Sequence, residues 1–330
     1  MARRGRLSLA EYVDGIGRGD RVVLARAVTL VESTLPSDAD LATALLDRLL
    51  PATGQSRRVG ITGVPGVGKS TFIDALGMHI IRERGERVAV LTIDPSSAIS
   101  GGSILGDKTR MEALSNERAA FVRPSASRGH PGGVAAHTRE TILLCEAAGY
   151  RNVLVETVGV GQSETVVWSM TDFFLLLILA GAGDELQGVK RGIMEVADAL
   201  AITKVDGANR SRAERARAEY RSALRLFPVA VDAWRPPVLM TSALTGEGVA
   251  DVWRTVLEHH DAMSASGHLQ HRRSRQAVDW MHELVGLELI RRFQSHPAVA
   301  ERLPQLEEEV ARGQMVSRAA AREALSLIGE

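Results

Sequence analysis

The stretch that most constrains this chain is 58-RVGITGVPGVGKSTFIDAL-76, where a short apolar run climbs into a glycine-rich turn, passes one lysine and two hydroxyls, and descends into a helical pattern. The spacing Gly63-x4-Gly68-Lys69-Ser70 is that of a phosphate-binding loop. Backbone N–H groups in such a turn converge on phosphate oxygens only where side chains do not intrude, and a helix opening near Lys69 adds its positive N-terminal end. Gly63, Val64, Pro65, Gly66, Val67 and Gly68, with Thr71 beyond them, form the candidate cradle. Lys69 is placed to reach the β- and γ-phosphates as a point charge, and the Ser70 hydroxyl to ligate Mg2+. The alternative is a chance glycine turn between a strand and a helix; it requires constrained positions to match by accident, expected in roughly one chain of this length in a hundred.

A loop that holds a triphosphate needs acids at neighbouring strand ends to hold the metal and orient water. Asp94 ends VAVLTI within DPSS, Asp107 sits in SILGDKTRM, and Glu156 ends NVLVE. Asp94 and Glu156 fall beyond the carboxyl ends of their strands, where ligands of open α/β sheets lie, and burying such an acid without a cation is costly. The plainer readings are a turn cap before Pro95 for Asp94 and a solvated loop acid for Asp107. The glycines of 156-ETVGVGQSE-164 suit a backbone that approaches a γ-phosphate and moves when it leaves.

The base is read from 201-AITKVDG-207. In GTP-binding proteins an Asn/Thr-Lys-x-Asp segment at a strand end lays the lysine stem along the base, and its aspartate accepts two guanine N–H donors that adenine lacks. Lys204 and Asp206 take these positions. In 241-TSALTGEG-248, the residues Ser242, Ala243 and Leu244 form the turn whose Ala243 N–H serves guanine O6. Thr203 stands where asparagine is usual, which loses an amide that ties this segment to the phosphate loop and puts the tightness of guanine selection in question. A site built to bond polar edges rejects an analogue lacking them, so Asp206 is the decisive residue.

Around these motifs the chain alternates strand-length apolar runs with helical patterns: Val59–Thr62, Val88–Ile93, Phe121–Arg123, Asn152–Glu156, Phe173–Ala180, Ala199–Thr203 and Val238–Thr241. This predicts an α/β fold, a P-loop NTPase with a doubly wound, mostly parallel sheet flanked by helices. The run FFLLLILA is under half the length that crosses a bilayer and reads as a strand buried on both faces. Residues 1–54 form a helical lead-in, with Leu24, Ala27, Leu30 and Val31 at helical spacing and Ser37 with Asp38 capping a second helix. Residues 55–260 form the nucleotide-binding domain. Residues 261–330 form a helical tail with Val278, Met281, Val285, Leu289 and Phe293 on one stripe; the period alone does not separate a core face from a dimer interface.

Lys plus Arg and Asp plus Glu each total 40, so no net field draws the molecule to nucleic acid or to an anionic membrane. The single cysteine, Cys145, forms no internal disulfide, which points to a reducing cytosol. The start, MARRGRLSLAEYVDG, lacks a continuous apolar segment of signal length and reads as an ordinary N-terminus.

The ordered runs GITGVPGVGKST, LTIDPSS, GGSILGDKTRM, RPSASRG-x-x-GGVA, VETVGVGQSE, GAGDELQGVKRGIMEVAD and TKVDG closely resemble the methylmalonyl-CoA mutase-associated GTPases, a family that includes proteins once labelled arginine/ornithine transport kinases. With the helical ends, the resemblance covers nearly the whole chain. It implies a homodimeric GTPase, with Mg2+ and GTP or GDP as ligands, acting as a chaperone that gates cobalamin loading and protects or reactivates a cobalamin-dependent acyl-CoA mutase. The mutase's adenosyltransferase is a second implied partner. Lys69, Ser70, Asp94, Asp107 and Glu156 match the family's phosphate and magnesium residues, and Asp184, Gln187 and Lys190 are the polar members of a loop coupled to nucleotide and mutase. The chain lacks the Asp-x-His-x-x-Gly signature of a cobalamin domain, so the cofactor is expected on partners. Three other readings compete, of which a purely structural, non-hydrolysing scaffold is disfavoured by the intact Lys69, Ser70 and acids. A metal-delivery GTPase would use His259, His260, His268 and His271, which read better as linker histidines. An ATP-dependent small-molecule kinase would leave Asp206 unexplained.

Overall fold

The computed structural model describes residues 6–33, 35–93, 111–124, 131–157, 163–180, 191–227 and 234–328. The chain divides into two compact units, Met1–Arg273 and Ser274–Glu330. The first opens with α1 (Leu9–Gly17), α2 (Arg21–Val31) and α3 (Pro36–Leu49), one helix more than the spacing predicts. The break falls before Asp20, whose carboxylate accepts from the Val22 and Val23 amides at 2.8 and 3.2 Å and so starts a new helix. At α3 the expected cap is displaced as well: Leu35 holds the cap position, while Asp38 accepts from the Ser33 hydroxyl at 2.5 Å.

The chain then runs through β1 (Arg57–Gly63), α4 (Lys69–Arg84), β2 (Val88–Ile93), α5 (Glu112–Asn116), β3 (Ala120–Pro124), α6 (Pro131–Ala147) and β4 (Asn152–Thr157). It continues as α7 (Ser163–Trp168), β5 (Phe173–Leu179), α8 (Arg191–Val196), β6 (Ala199–Thr203), α9 (Arg210–Leu224), β7 (Val238–Met240) and α10 (Val249–Ala265). All seven strands that the apolar runs predict are present. They form one parallel sheet in the order β3-β2-β4-β1-β5-β6-β7. The chain leaves β1 toward one edge and β5 toward the other, so the crevice past the carboxyl ends of these neighbours is the topological switch point where ligands of such sheets bind.

Strand residues alternate between two cores, as the period of two requires. Ala89, Leu91, Val153, Val155 and Phe174 face one core, which α1, α2, α3 and α6 complete through Ile16, Leu24, Leu45 and Ile142. Val88, Val90, Leu154, Phe173 and Leu175 face the other, closed by α4 and α10 through Phe72, Ile73 and Trp253. Burial also raises the Cys145 thiol well above its ordinary pKa, so it remains a neutral thiol.

At the amino ends of the strands the sheet is closed by ion pairs. Asp172, just before β5, is buried and accepts from Arg273 Nε at 2.8 Å and Nη2 at 2.6 Å, and from the Arg58 amide at 2.9 Å. Arg58 in turn holds the buried Glu146 of α6 through Nε at 2.8 Å and Nη2 at 3.0 Å. Burial pushes the Asp172 carboxyl up, but the Arg273 and Arg58 bonds outweigh it and hold the group below its ordinary pKa.

Three more helices follow, α11 (His268–Ser295), α12 (Pro297–Ala311) and α13 (Ser317–Ser326). Within the second unit, α12 and α13 pack around Leu306, Ala320 and Ala324, with Phe293 against them. The rest of the predicted stripe is open: Val278, Met281 and Val285 are about half exposed and Leu289 is 62% exposed. Among the described residues no helix is long and apolar enough to cross a membrane.

Candidate functional site

The glycine-rich loop joins β1 to α4 at the switch point. Gly63, at φ +154°, passes so close to β5 that a Cβ there would meet the Leu177 carbonyl oxygen at 2.6 Å. Gly68, at φ +98°, is the cap residue that turns the loop into α4. The Lys69 side chain is buried and folds back over the loop, its Nζ donating to Gly63 O at 2.7 Å and Val64 O at 3.4 Å. The ammonium thus lies inside the turn that a polyphosphate would enter.

Next to it, the Ser70 hydroxyl donates to Glu156 Oε1 at 2.8 Å. Glu156 is 2% exposed and sits near the end of β4, in register with Ile61 of β1. One residue on, Thr157 Oγ1 donates to Thr62 Oγ1 at 2.9 Å and ties the two strand ends together. A hydroxyl and a carboxylate in contact at a helix N-terminus are the hard oxygen donors that Mg2+ takes, so the residues fit that ion. Asp94, Asp107, Asp184, Gln187 and Lys190 lie outside the described residues.

A cavity of about 240 Å3 opens on the other side of the loop, walled by Gly68, Thr71, Lys204, Asp206, Ser242 and Leu244, among others. It thus joins the two sequence segments read as base-recognising, the end of β6 and the turn after β7. Lys204, at φ +55°, sends its Nζ to Gly66 O at 2.9 Å, so its stem runs along the cavity. Asp206 Oδ1 accepts from the Ser242 hydroxyl at 2.7 Å. That bond, with a lesser pull from Lys204, holds the carboxyl below its ordinary pKa, so it faces the cavity as an ionised acceptor. Ser242 is held in turn by a tight turn in which its amide donates to Glu247 O at 2.9 Å and its carbonyl accepts from the Gly246 amide at 2.9 Å.

Thr203 corrects the sequence reading. Losing the asparagine amide does not untie this segment from the phosphate loop, because the Thr203 hydroxyl donates to Val67 O at 2.9 Å. The same hydroxyl lies 3.3 Å from Ile178 O, and the residue is buried. Phe72 and Asn209, which the motifs do not single out, also line the cavity. Phe72 is four residues past Gly68 on the first turn of α4, and Asn209 follows Asp206 by three in a 3-10 turn, spacings that bring each to the motif residue's face.

The histidines do not read as the sequence suggested either. His259 is no linker residue: it is buried in α10, with its ring edge-on to Phe173 and Trp234 at centroid distances of 5.1 and 4.9 Å. Among the described residues no three His, Cys, Asp or Glu side chains converge into a metal site.

A glycine-rich loop at the switch point of a parallel sheet, its lysine, and a base cavity with an ionised aspartate define a P-loop GTPase. The chain belongs to the methylmalonyl-CoA mutase-associated GTPases, since the family described as "Methylmalonyl Co-A mutase-associated GTPase MeaB" matches residues 24–298. The GTPase ArgK of Escherichia coli is 51% identical over 274 residues, 83% of this chain and 82% of its own length. The mitochondrial methylmalonic aciduria type A homolog of Mus musculus is 46% identical over 309 residues, covering 91% of this chain and 74% of its own length. Among solved structures, one named LAO/AO transport system kinase superposes with a TM-score of 0.76 at 39% identity, covering 100% of both chains. The old kinase label thus survives in one relative's name, while the family and the E. coli relative are named GTPases.

Proposed function

We propose that this GTPase is the chaperone of a cobalamin-dependent acyl-CoA mutase, gating cofactor loading and protecting or reactivating the mutase as GTP is bound and hydrolysed. The observation that carries the nucleotide half of this reading is the convergence of the phosphate loop and the guanine-type cavity on Val67, Gly68 and Thr203. Membership of a mutase-associated family, and a murine relative named for methylmalonic aciduria, support the partner half.

In this reading Gly63 to Gly68 present backbone amides to the β- and γ-phosphates, and Lys69 releases its carbonyl partners to meet their oxygens. Ser70 and Glu156, with Asp94 and Asp107, would hold Mg2+, which when bound supplies positive charge to the phosphate oxygens. One of the acids positions the attacking water. Asp206 accepts the two guanine N–H donors, the Lys204 stem lies along the base, and Ala243 serves O6. Asp184, Gln187 and Lys190 couple the site to the mutase. With no arginine finger identifiable in the sequence, partner docking completes charge stabilisation, so turnover alone is slow. The tail from about residue 261 serves as a dimerisation arm, a role that the open stripe Val278, Met281, Val285 and Leu289 supports. The compartment is the cytosol, cobalamin stays on partner proteins, and the mutase's adenosyltransferase is a second partner.

The test is steady-state hydrolysis of GTP and ATP with Mg2+, by the chain alone and with a purified cobalamin-dependent acyl-CoA mutase from the same source. Slow, GTP-selective turnover that accelerates with the mutase is expected. Turnover indifferent to the mutase would overturn the partner, and a preference for ATP would overturn the nucleotide.

A further inference from the structure

A second cavity, of about 400 Å3, lies at the opposite end of β6 and β7 from the base pocket. Its walls come from the α8–β6 junction, the last turns of α9 and the segment that enters β7. Nothing in the GTPase reading uses it, and its size falls within the range that accommodates small organic ligands.

Three guanidinium groups line it: Arg221, in the last turn of α9, Arg225, the cap residue four positions on, and Arg235, which approaches from the β7 side. All three residues are exposed, and among the described residues none is paired with a carboxylate. Two acids share the walls, Glu195 and Asp198. Asp198 is committed elsewhere: Oδ2 accepts from the Phe174 amide at 2.8 Å and lies 3.5 Å from Arg272 Nη1, and Oδ1 lies 3.5 Å from His259 Nε2. The cationic side of the cavity is therefore the side with valence to spare.

The rest of the lining is apolar and held in place. Trp234 donates its indole N–H to Asp198 O at 2.8 Å and meets the buried His259 ring edge-on, so its orientation is set before any ligand arrives. Phe227 and Pro236 extend this surface. A planar guanidinium fork matches two oxygens at a time, and forks from two separate elements can engage more oxygens than a single carboxylate offers. A cavity of this volume also does not hold a stretch of nucleic acid, which needs an extended groove.

We propose that this cavity binds a small organic phosphate, its phosphoryl oxygens meeting Arg221, Arg225 and Arg235 and its apolar or aromatic body resting on Trp234 and Phe227. The site is separate from the nucleotide site: β6 runs from Ala199, beside one cavity, to Thr203, in the wall of the other.

The test uses the full chain saturated with GDP and Mg2+, so that the phosphate loop is blocked and failure here leaves the GTPase reading untouched. Titration with 1-naphthyl phosphate, followed by calorimetry and tryptophan fluorescence, should give one saturable site. Affinity should fall by at least about tenfold in R221Q/R225Q and, separately, in R235Q, the loss expected for charge-assisted bonds, with GDP affinity and melting temperature unchanged. The uncharged 1-naphthol should bind at least about tenfold more weakly, for the same reason. No saturable binding below ~1 mM, a free energy weaker than about −4 kcal/mol, would overturn the proposal. So would equal affinity in the arginine variants, or equal binding of 1-naphthoate, which would remove the case for phosphate.

Discussion

Thr203→Val is the most informative change at the nucleotide site because it keeps the side chain's shape and removes one hydroxyl. That hydroxyl joins two halves of the site, the base-reading end of β6 and the phosphate loop at Val67. A neutral hydrogen bond contributes about 0.5–1.5 kcal/mol net, and leaving a buried acceptor unpaired costs about 1–3, so the substitution should cost about 1–2 kcal/mol. At about 2–4 °C per kcal/mol for a domain of this size, the ligand-free protein should melt about 2–8 °C lower. The effect on binding should depend on which half of the site a ligand uses. GDP spans both halves and gains from having them held together, so its affinity should fall by about 5- to 30-fold, the factor equivalent to 1–2 kcal/mol. Pyrophosphate engages the loop alone and should change by less than about twofold, since it gains nothing from the tie. Thr203→Ser keeps the hydroxyl and Thr203→Asn supplies an amide, so both should recover most of the GDP affinity. Calorimetry of GDP and pyrophosphate on the four proteins decides the matter. If GDP binds Thr203→Val as tightly as the parent, or if pyrophosphate weakens as much as GDP, the hydroxyl does not couple the two halves.

Lys69→Ala should abolish nucleotide binding or turnover; hydrolysis near the parent rate would show that the loop has been misassigned. Asp206→Asn exchanges an ionised acceptor for an amide, which at about 1.5–3 kcal/mol for charge-assisted bonds should weaken GDP by about 10- to 150-fold and relax the GTP:ATP preference, measured by competitive hydrolysis. Ser70→Ala should remove the Mg2+-dependent part of GDP affinity and leave the affinity in EDTA nearly intact, readable in one pair of titrations. Arg273→Met strands the buried Asp172 and should cost about 3–5 kcal/mol in urea unfolding. The parent's Asp172 pKa lies below the unfolded value of about 3.9, so its contribution is present above that pH and is lost as pH falls through the folded value. In Arg273→Met only the Arg58 contacts remain to oppose burial, so the Asp172 pKa rises relative to the parent and the gap between parent and variant should narrow on acidification.

The strands were legible because a parallel sheet covered on both faces writes each strand as an unbroken apolar run, and FFLLLILA can be little else. Lys69, Ser70, Glu156 and Asp206 were legible because each stands at a fixed step from a strand end. Lateral order was not, since nothing in an apolar run says that β4 inserts between β1 and β2. The ion pairs at the amino ends were hidden for a related reason: Arg58 meets Glu146 across 88 residues and Arg273 meets Asp172 across 101, and only folding brings them together. The Thr203 tie was missed by reasoning from the motif's usual amide rather than from what a hydroxyl can do. His259 was misread because its neighbours in sequence are polar, while its packing is set by Phe173 and Trp234 from other elements.

The two ends of the sheet are fastened by different chemistry, and the difference fits what each end must do. The amino ends use buried ion pairs, Arg273 with Asp172 and Arg58 with Glu146, whose rupture costs several kcal/mol. The carboxyl ends use single bonds from hydroxyls and an ammonium: Thr157 to Thr62, Ser70 to Glu156, Thr203 to Val67, Ser242 to Asp206 and Lys69 to Gly63. A nucleotide and its metal must take over some of these partners. Exchanging one hydroxyl or ammonium bond for a phosphate or metal contact sacrifices little, because the net worth of such a bond is about 1 kcal/mol when neutral and roughly twice that when charge-assisted. Replacing a bidentate buried ion pair would consume most of the binding energy. Of the five bonds, Ser70–Glu156 and Lys69–Gly63 stand where metal and phosphate would enter, and Ser242–Asp206 where the base would. The Thr157 and Thr203 hydroxyls and the Val67 carbonyl are assigned to no ligand atom, although Thr203 and Val67 stand in the cavity wall. Thr157–Thr62 and Thr203–Val67 should therefore persist in the bound state while the others trade partners. That contrast makes Thr203→Val a test of scaffold coupling, distinct from the loss of ligand contacts expected for Ser70→Ala and Asp206→Asn.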